Sequence, residues 1–233
     1  MTGSLVSPAT RDRVRGLATP VAKGLGRLGL TPNALTVIGF LGTCLAALAA
    51  ALQLWLVAGV LVLAFGIFDL FDGTLARATG RASKLGAFLD STFDRAGEGI
   101  VYLGIAAGCL IAGFDPGALL AASAMAASFM VSYTRAKSES LGFTPGTGMA
   151  SIGVAPREVR ILILAAALIV ADLAGGIAEP LLYLQTIDLP FGITIDAVRG
   201  REYLTLGLSL ITILATLTTI QRVLHVRAQA REG

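Results

Sequence analysis

Two short stretches hold most of the chemistry open to this chain. One is Phe68-Asp69-Leu70-Phe71-Asp72-Gly73-Thr74-Leu75-Ala76-Arg77; the other is Gly86-Ala87-Phe88-Leu89-Asp90-Ser91-Thr92-Phe93-Asp94-Arg95. Asp69 and Asp72 are three residues apart and Asp90 and Asp94 four apart. On helices, each pair therefore shares one face, with side chains about 5–6 Å from one another. Four carboxylates brought together cannot all stay ionised without a cation. An all-oxygen donor set selects a hard divalent ion, Mg²⁺ or Mn²⁺. Such an ion neutralises charge on a diphosphate, and a nearby carboxylate can take the proton of an attacking hydroxyl. Gly73, Ala76 and Gly86 add little or no side chain to the same faces, which leaves room for a flat or extended ligand. Ordinary small-residue helix packing would use the same residues. No Ser-His or Cys-His dyad is needed: His225, the single histidine, falls at the end of an apolar run as an interfacial residue, and Cys44 and Cys109 sit in apolar runs as packing residues.

The elements that must position these carboxylates follow from composition. Of 233 residues, 55% are hydrophobic and only 14% charged, and the mean hydropathy is +0.79. That balance excludes a water-soluble globule and a disordered chain, and two cysteines with one histidine exclude a disulfide scaffold or a thiolate zinc site. Six apolar runs are long enough to cross a hydrocarbon core of roughly 30 Å as helices. They predict spans near 33–53, 55–78, 86–112, 117–140, 158–178 and 203–226, with 141–157 and 179–202 as loops. The five-residue link from Gly80 to Lys84 predicts that the second and third spans are antiparallel neighbours. Residues 1–32 form an N-terminal interfacial segment, 33–226 the membrane domain and 227–233 a cytoplasmic tail. The polar start of the chain does not read as a cleaved secretory signal. Before the first span, Val14, Leu17, Ala18, Val21, Leu25 and Leu28 recur at helical spacing opposite Arg11, Arg15, Lys23 and Arg27, as in a helix lying in the membrane interface. A basic segment that only sets topology is the competing reading.

Lys and Arg fix the orientation. They precede the first span, sit between the second and third (Arg77, Arg81, Lys84), flank the fourth-to-fifth loop (Arg135, Lys137, Arg157, Arg160) and follow the last (Arg222, Arg227, Arg231); only Arg199 and Arg201 fall on the other side. Both termini and the acidic cluster are then cytoplasmic, in a cell membrane. The basic pI reflects topology, not nucleic-acid binding.

Asp69, Asp72, Gly73, Ala76, Arg77, Gly86, Asp90 and Asp94 together follow the spacing D-x-x-D-G-x-x-A-R, eight residues, G-x-x-x-D-x-x-x-D. That pattern resembles the signature of the CDP-alcohol phosphotransferases. The likeness extends to the interfacial segment, the six spans and Leu30-Thr31-Pro32-Asn33. It implies that Asp69, Asp72 and Asp90 bind divalent metal, with Asp94 beside it as general base. It further implies a CDP-linked lipid, usually CDP-diacylglycerol, with its nucleotide against Asp69, Asp72, Gly73, Ala76, Arg77 and Gly86, and a homodimer. The alanines of span four, Ala118, Ala122 and Ala126, allow close helix contact.

The acceptor is read from four cations. Arg135 and Lys137 end the fourth span, and Arg157 and Arg160 begin the fifth on one helical face. Such a cluster suits a phosphate on the acceptor, favouring inositol phosphate or glycerol phosphate over serine; the same charges would also arise from the positive-inside rule alone. Ser132 to Lys137 and Pro156 to Arg160 resemble the phosphatidylinositol-phosphate synthase branch, although Ala155 to Val159 departs from its tighter Arg-Pro-Glu-Arg-like arrangement. A phosphatidylglycerophosphate synthase is the runner-up. A divalent cation transporter also uses intramembrane carboxylates, but Arg77 and Arg95 stand beside this cluster, no paired broken helices are evident, and acidic residues do not continue across the bilayer.

Overall fold

Thr31 starts the first long helix. Its hydroxyl accepts a hydrogen bond from the Ala34 amide at 3.2 Å, and Pro32 takes a first-turn place where its missing N–H leaves nothing unsatisfied. The resulting helix α1 runs Pro32–Ala51, and after a tight turn α2 runs Trp55–Ala78. Gly80, at φ +64°, supplies the left-handed residue that closes α2. Ser83 caps α3, Lys84–Ile111, by accepting from the Gly86 amide at 3.0 Å. The helix α4 spans Asp115–Ser140, α5 Arg157–Leu173 and α6 Gly200–Glu232. Between α5 and α6, strands β1 (Thr186–Leu189) and β2 (Ile193–Asp196) pair antiparallel, with Thr186 opposite Asp196. This computed structural model describes residues 20, 24–80, 82–143, 152–177, 186–189, 193–196 and 200–232, without the side chains of Ile67, Asp69, Leu70, Asp72, Glu232 and the two strands.

The six helices lie where the apolar runs predict them. α5 stops at Leu173, five residues short of the expected 178, α6 begins at Gly200 and continues six residues past the expected end at 226, and the hairpin occupies part of the stretch read as a loop. The amphipathic helix expected over 14–28 lies largely outside the described residues. Within it, a single helical turn at 24–27 is seen, and Leu25 and Leu30 pack with Phe68 and Phe71 around Leu35 and Leu75.

Along most of α1, large side chains face outward and small ones inward. Leu41, Leu45, Leu48 and Leu52 form an exposed stripe along α1, while Ala46, Ala47 and Ala50 on its other side are buried. A soluble protein would bury the leucines. Helices associating in lipid gain nothing by hiding leucine from an equally apolar solvent, and instead use small residues to bring backbones together. At Gly104 a Cβ would strike the Ala47 carbonyl, and at Gly108 the Ala50 carbonyl. α1, α4 and α6 are each long and apolar enough to cross a membrane by length and composition.

Among the described residues, the main helix contacts close into a ring in the order α1, α2, α5, α6, α4, α3 and back to α1. This corrects the expectation that α2 and α3 are packed neighbours. The short link holds only their adjoining ends, and the glycine face of α3 accepts α1 instead. The two halves of the acidic motif therefore belong to separate walls, with α1 between them.

Candidate active site

The adjoining ends of α2 and α3 are built around small residues. Arg77 folds back along its own helix, so that a Cβ on Gly73 would lie 3.5 Å from the Arg77 guanidinium. At Gly86 a Cβ would lie 3.1 Å from the Ser83 hydroxyl and 3.2 Å from the Asn33 side-chain oxygen. The Thr-Pro-Asn junction thus adjoins the start of α3, where a ligand can approach the backbone closely. Ala76, the residue before Arg77, is half-buried.

Asp90 and Asp94 leave successive turns of α3, both half-buried. Asp94 is held by cations: its Oδ1 lies 3.0 Å from Arg157 Nη1 and its Oδ2 4.0 Å from Arg95 Nη1. Asp94 and Arg157 together line a cavity walled by Thr36 and Thr43 of α1, Phe65 of α2 and Phe93 of α3. Phe93 is fixed by stacking on Phe40, ring centroids 4.9 Å apart. A second cavity continues past Thr43, Gly97 and Arg157 toward Val62, Tyr102 and Ile161. One side of the ring interior is therefore hollow, lined by Asp94 and Arg157 in the first cavity and by Glu98 and Arg160 among apolar side chains in the second.

Asp69 and Asp72 lie in the helical backbone of α2, and their side chains fall outside the described residues. Among the described residues, no three His, Cys, Asp or Glu side chains converge. The donor chemistry nonetheless fits a hard divalent ion, because Asp90 and Asp94 offer only carboxylate oxygens at i, i+4 spacing and Asp69 and Asp72 offer the same at i, i+3.

Of the four cations read for the acceptor phosphate, Arg157 and Arg160 line one cavity, and Arg135 and Lys137 are exposed toward the end of α4. Arg160 is 1% exposed and committed within the protein: its Nε donates to Glu98 Oε1 at 3.0 Å, its Nη2 to Glu98 Oε2 at 3.1 Å and its Nη1 to the Ala155 carbonyl at 3.1 Å. Arg135 is exposed and bonds Glu139 one turn on, at 2.9 Å. Lys137, two residues along, points about 200° away around the helix and is exposed. Arg157 lines the Asp94 cavity, and Arg160 joins it in lining the second one.

Two residues escaped the sequence reading. Glu98 continues the acidic face of α3 one turn beyond Asp94, and with Arg157 and Arg160 it makes two ionic rungs, Asp94–Arg157 and Glu98–Arg160. The rungs cross the ring interior and join α3 to α5, which are not ring neighbours. Asp-x-x-x-Asp-x-x-x-Glu matched to Arg-x-x-Arg was the available signal. Arg222, taken as a topology residue after the last span, is 4% exposed inside the bundle. It donates to the carbonyls of Val131 and Ile152, and Arg135, Arg160 and Glu139 lie within its electrostatic reach. Its position inside the apolar run 203–226 was the clue.

Known proteins match this arrangement over most of its length. The chain is 36% identical over 214 residues to a phosphatidylinositol phosphate synthase of Cutibacterium acnes, covering 89% of this chain and 91% of that protein. It is 42% identical over 154 residues to an archaetidylinositol phosphate synthase of Pyrococcus horikoshii, covering 66% and 77% respectively. Its fold superposes on the crystal structure of phosphatidylinositol phosphate synthase from Mycobacterium tuberculosis with CDP-DAG bound, at a TM-score of 0.70 and 26% identity over 90% of this chain and 92% of that one. The same enzyme in complex with manganese and citrate gives a TM-score of 0.69, with 90% and 88% covered. The family model for CDP-alcohol phosphatidyltransferase matches residues 29–226, which take in all eight motif positions, and the chain belongs to that family.

Proposed function

We propose that this protein transfers the phosphatidyl group of CDP-diacylglycerol to a hydroxyl of inositol phosphate, releasing CMP, at the cytoplasmic face of a cell membrane that its six helices span. The observation that carries this reading is the cavity in which a carboxylate, Asp94, and a guanidinium, Arg157, stand side by side between α1, α2, α3 and α5. Relatives named for inositol phosphate products favour this acceptor over glycerol 3-phosphate.

Asp69, Asp72, Asp90 and Asp94 would hold divalent metal, Mg²⁺ or Mn²⁺. When bound, the metal neutralises charge on the donor diphosphate. Gly73, Ala76 and Gly86 admit the nucleotide at backbone distance, with Arg77 beside it. The acceptor hydroxyl oxygen bonds to the phosphorus that carries the diacylglycerol. The bond from that phosphorus to the oxygen shared with CMP breaks, CMP leaves with that oxygen, and the hydroxyl proton passes to Asp94. Arg157 receives the acceptor phosphate. Its contact with Asp94 then becomes a contact shared with phosphate, which turns the carboxylate toward the hydroxyl. Arg135 and Lys137 attract the dianion from solution, whereas Arg160 acts from within the protein. A homodimer through the still-exposed Ala122 and Ala126 face of α4 belongs to the same proposal.

The test offers inositol phosphate, glycerol 3-phosphate or serine, with CDP-diacylglycerol and Mg²⁺ or Mn²⁺, to the purified protein and follows CMP release and the lipid product. Metal-dependent product from inositol phosphate is expected. Product from glycerol 3-phosphate alone would overturn the acceptor, and no CMP release with any acceptor would overturn the reaction.

A further inference from the structure

The segment before α5 is bent, irregular chain packed partly inside the bundle. Gly153 and Ala155 are buried, and polar groups from three helices hold it. Arg222 of α6 donates to the Ile152 carbonyl at 3.1 Å. Thr218 of α6 accepts from the Ala155 amide at 3.0 Å, and its own proton goes to the Leu214 carbonyl at 2.8 Å. Arg160 donates to the Ala155 carbonyl at 3.1 Å, and Glu98 of α3 fixes that guanidinium. Both polar groups of one residue, Ala155, are thus gripped by side chains of different helices. Two residues later comes Arg157, the first residue of α5 and the partner of Asp94. Pro156 between them caps α5 without a side-chain bond and, lacking an N–H, cannot anchor itself as a donor.

We propose that Thr218 is a positioning residue: with Arg160 it clamps the Ala155 peptide, and so aims Arg157 at Asp94 and at the acceptor. The hydroxyl is the working group. A methyl in its place would leave the buried Ala155 amide without an acceptor, and the peptide would shift to find one. Displacement of a positioning element by about 1 Å costs up to about 100-fold in rate. Thr218 sits fully buried, with its methyl against Gly153, so packing alone would also make it sensitive to substitution. Valine and serine separate the two roles, since valine keeps the shape and loses the hydroxyl while serine does the reverse.

This proposal rests on the acceptor-transfer reading above, and its test has one arm that does not. In steady-state kinetics, Thr218→Val is expected to raise the acceptor KM or lower kcat by about 10- to 100-fold, with the CDP-diacylglycerol KM within about twofold of the unmodified protein. Thr218→Ser should stay within about threefold of the unmodified protein. Independently of any substrate, hydrogen exchange of a peptide covering residues 152–160 should speed up in Thr218→Val and not in Thr218→Ser. Unchanged exchange in the valine variant overturns the clamp. So does a serine variant as impaired as the valine one, which would mean packing alone. Faster exchange in a protein that transfers to no acceptor would uphold the clamp and reject only the reaction assigned to it.

Discussion

Glu98 and Arg160 make the sharpest energetic test of the ring interior. Their side chains are 7% and 1% exposed, with a charge separation of 3.0 Å. At an effective dielectric of about 20, the gross attraction over that distance is about 5–6 kcal/mol, most of which offsets the desolvation of the two groups. Removing one partner leaves the other as an uncompensated buried charge, worth about 3–5 kcal/mol. Removing both leaves mainly the Ala155 carbonyl unsatisfied, about 1–3 kcal/mol. Glu98→Met and Arg160→Met should therefore each destabilise the protein by about 3–5 kcal/mol, and the double variant by less than either. The coupling, roughly 3 kcal/mol or more, is read from unfolding in mixed micelles of a mild detergent and dodecyl sulfate, without substrate. Additive losses in the double variant would refute the argument. So would an Arg160→Met protein that unfolds like the original yet loses acceptor affinity, since that outcome would return Arg160 to the acceptor site.

Three further outcomes are expected. Asp90→Asn and Asp72→Asn should each abolish metal-dependent CMP release with helical circular dichroism unchanged, and chelation of the unmodified protein should do the same reversibly, with Mg²⁺ or Mn²⁺ restoring activity; persistent release in either variant would remove that residue from the metal set. Arg157→Gln should raise the acceptor KM about 10- to 150-fold, the worth of a charge-assisted phosphate contact, with little change for CDP-diacylglycerol, whereas equal small changes for both substrates would mark Arg157 as a topology residue. Gly104→Leu should destabilise by at least about 1–3 kcal/mol because its side chain meets the Ala47 carbonyl, while Ala64→Leu on the exposed face of α2 should unfold like the original.

Helix positions were legible because an apolar run of about twenty residues with capping residues at its ends has few alternatives. Thr31, Ser83 and Pro116 mark the starts of α1, α3 and α4 as their residue types suggest. The motif was legible because three- and four-residue spacing maps directly onto helix faces. Helix order around the ring was not. In lipid, periodicity does not tell which apolar face meets protein, since leucine is as well placed outward as inward; the decisive residues were Gly104 and Gly108, whose meaning depends on Ala47 and Ala50 some sixty residues away. The fate of each cation was hidden for a related reason. The positive-inside rule explains Arg135, Arg160 and Arg222 equally well, and only the fold shows that the first meets water while the other two are sealed among carbonyls and a carboxylate.

The outward leucines of α1 bear on how this protein could be handled apart from its bilayer. Because α1 and α3 meet backbone to backbone through Gly104 and Gly108, Leu41, Leu45, Leu48 and Leu52 take no part in that contact. They set the medium in which the bundle dissolves and leave its internal geometry alone. Rewriting that stripe in glutamate, lysine and glutamine would change the solvent of the perimeter while preserving the contact that holds α1 between the two halves of the acidic motif, and the same division of labour holds wherever the perimeter is leucine and the seam is glycine.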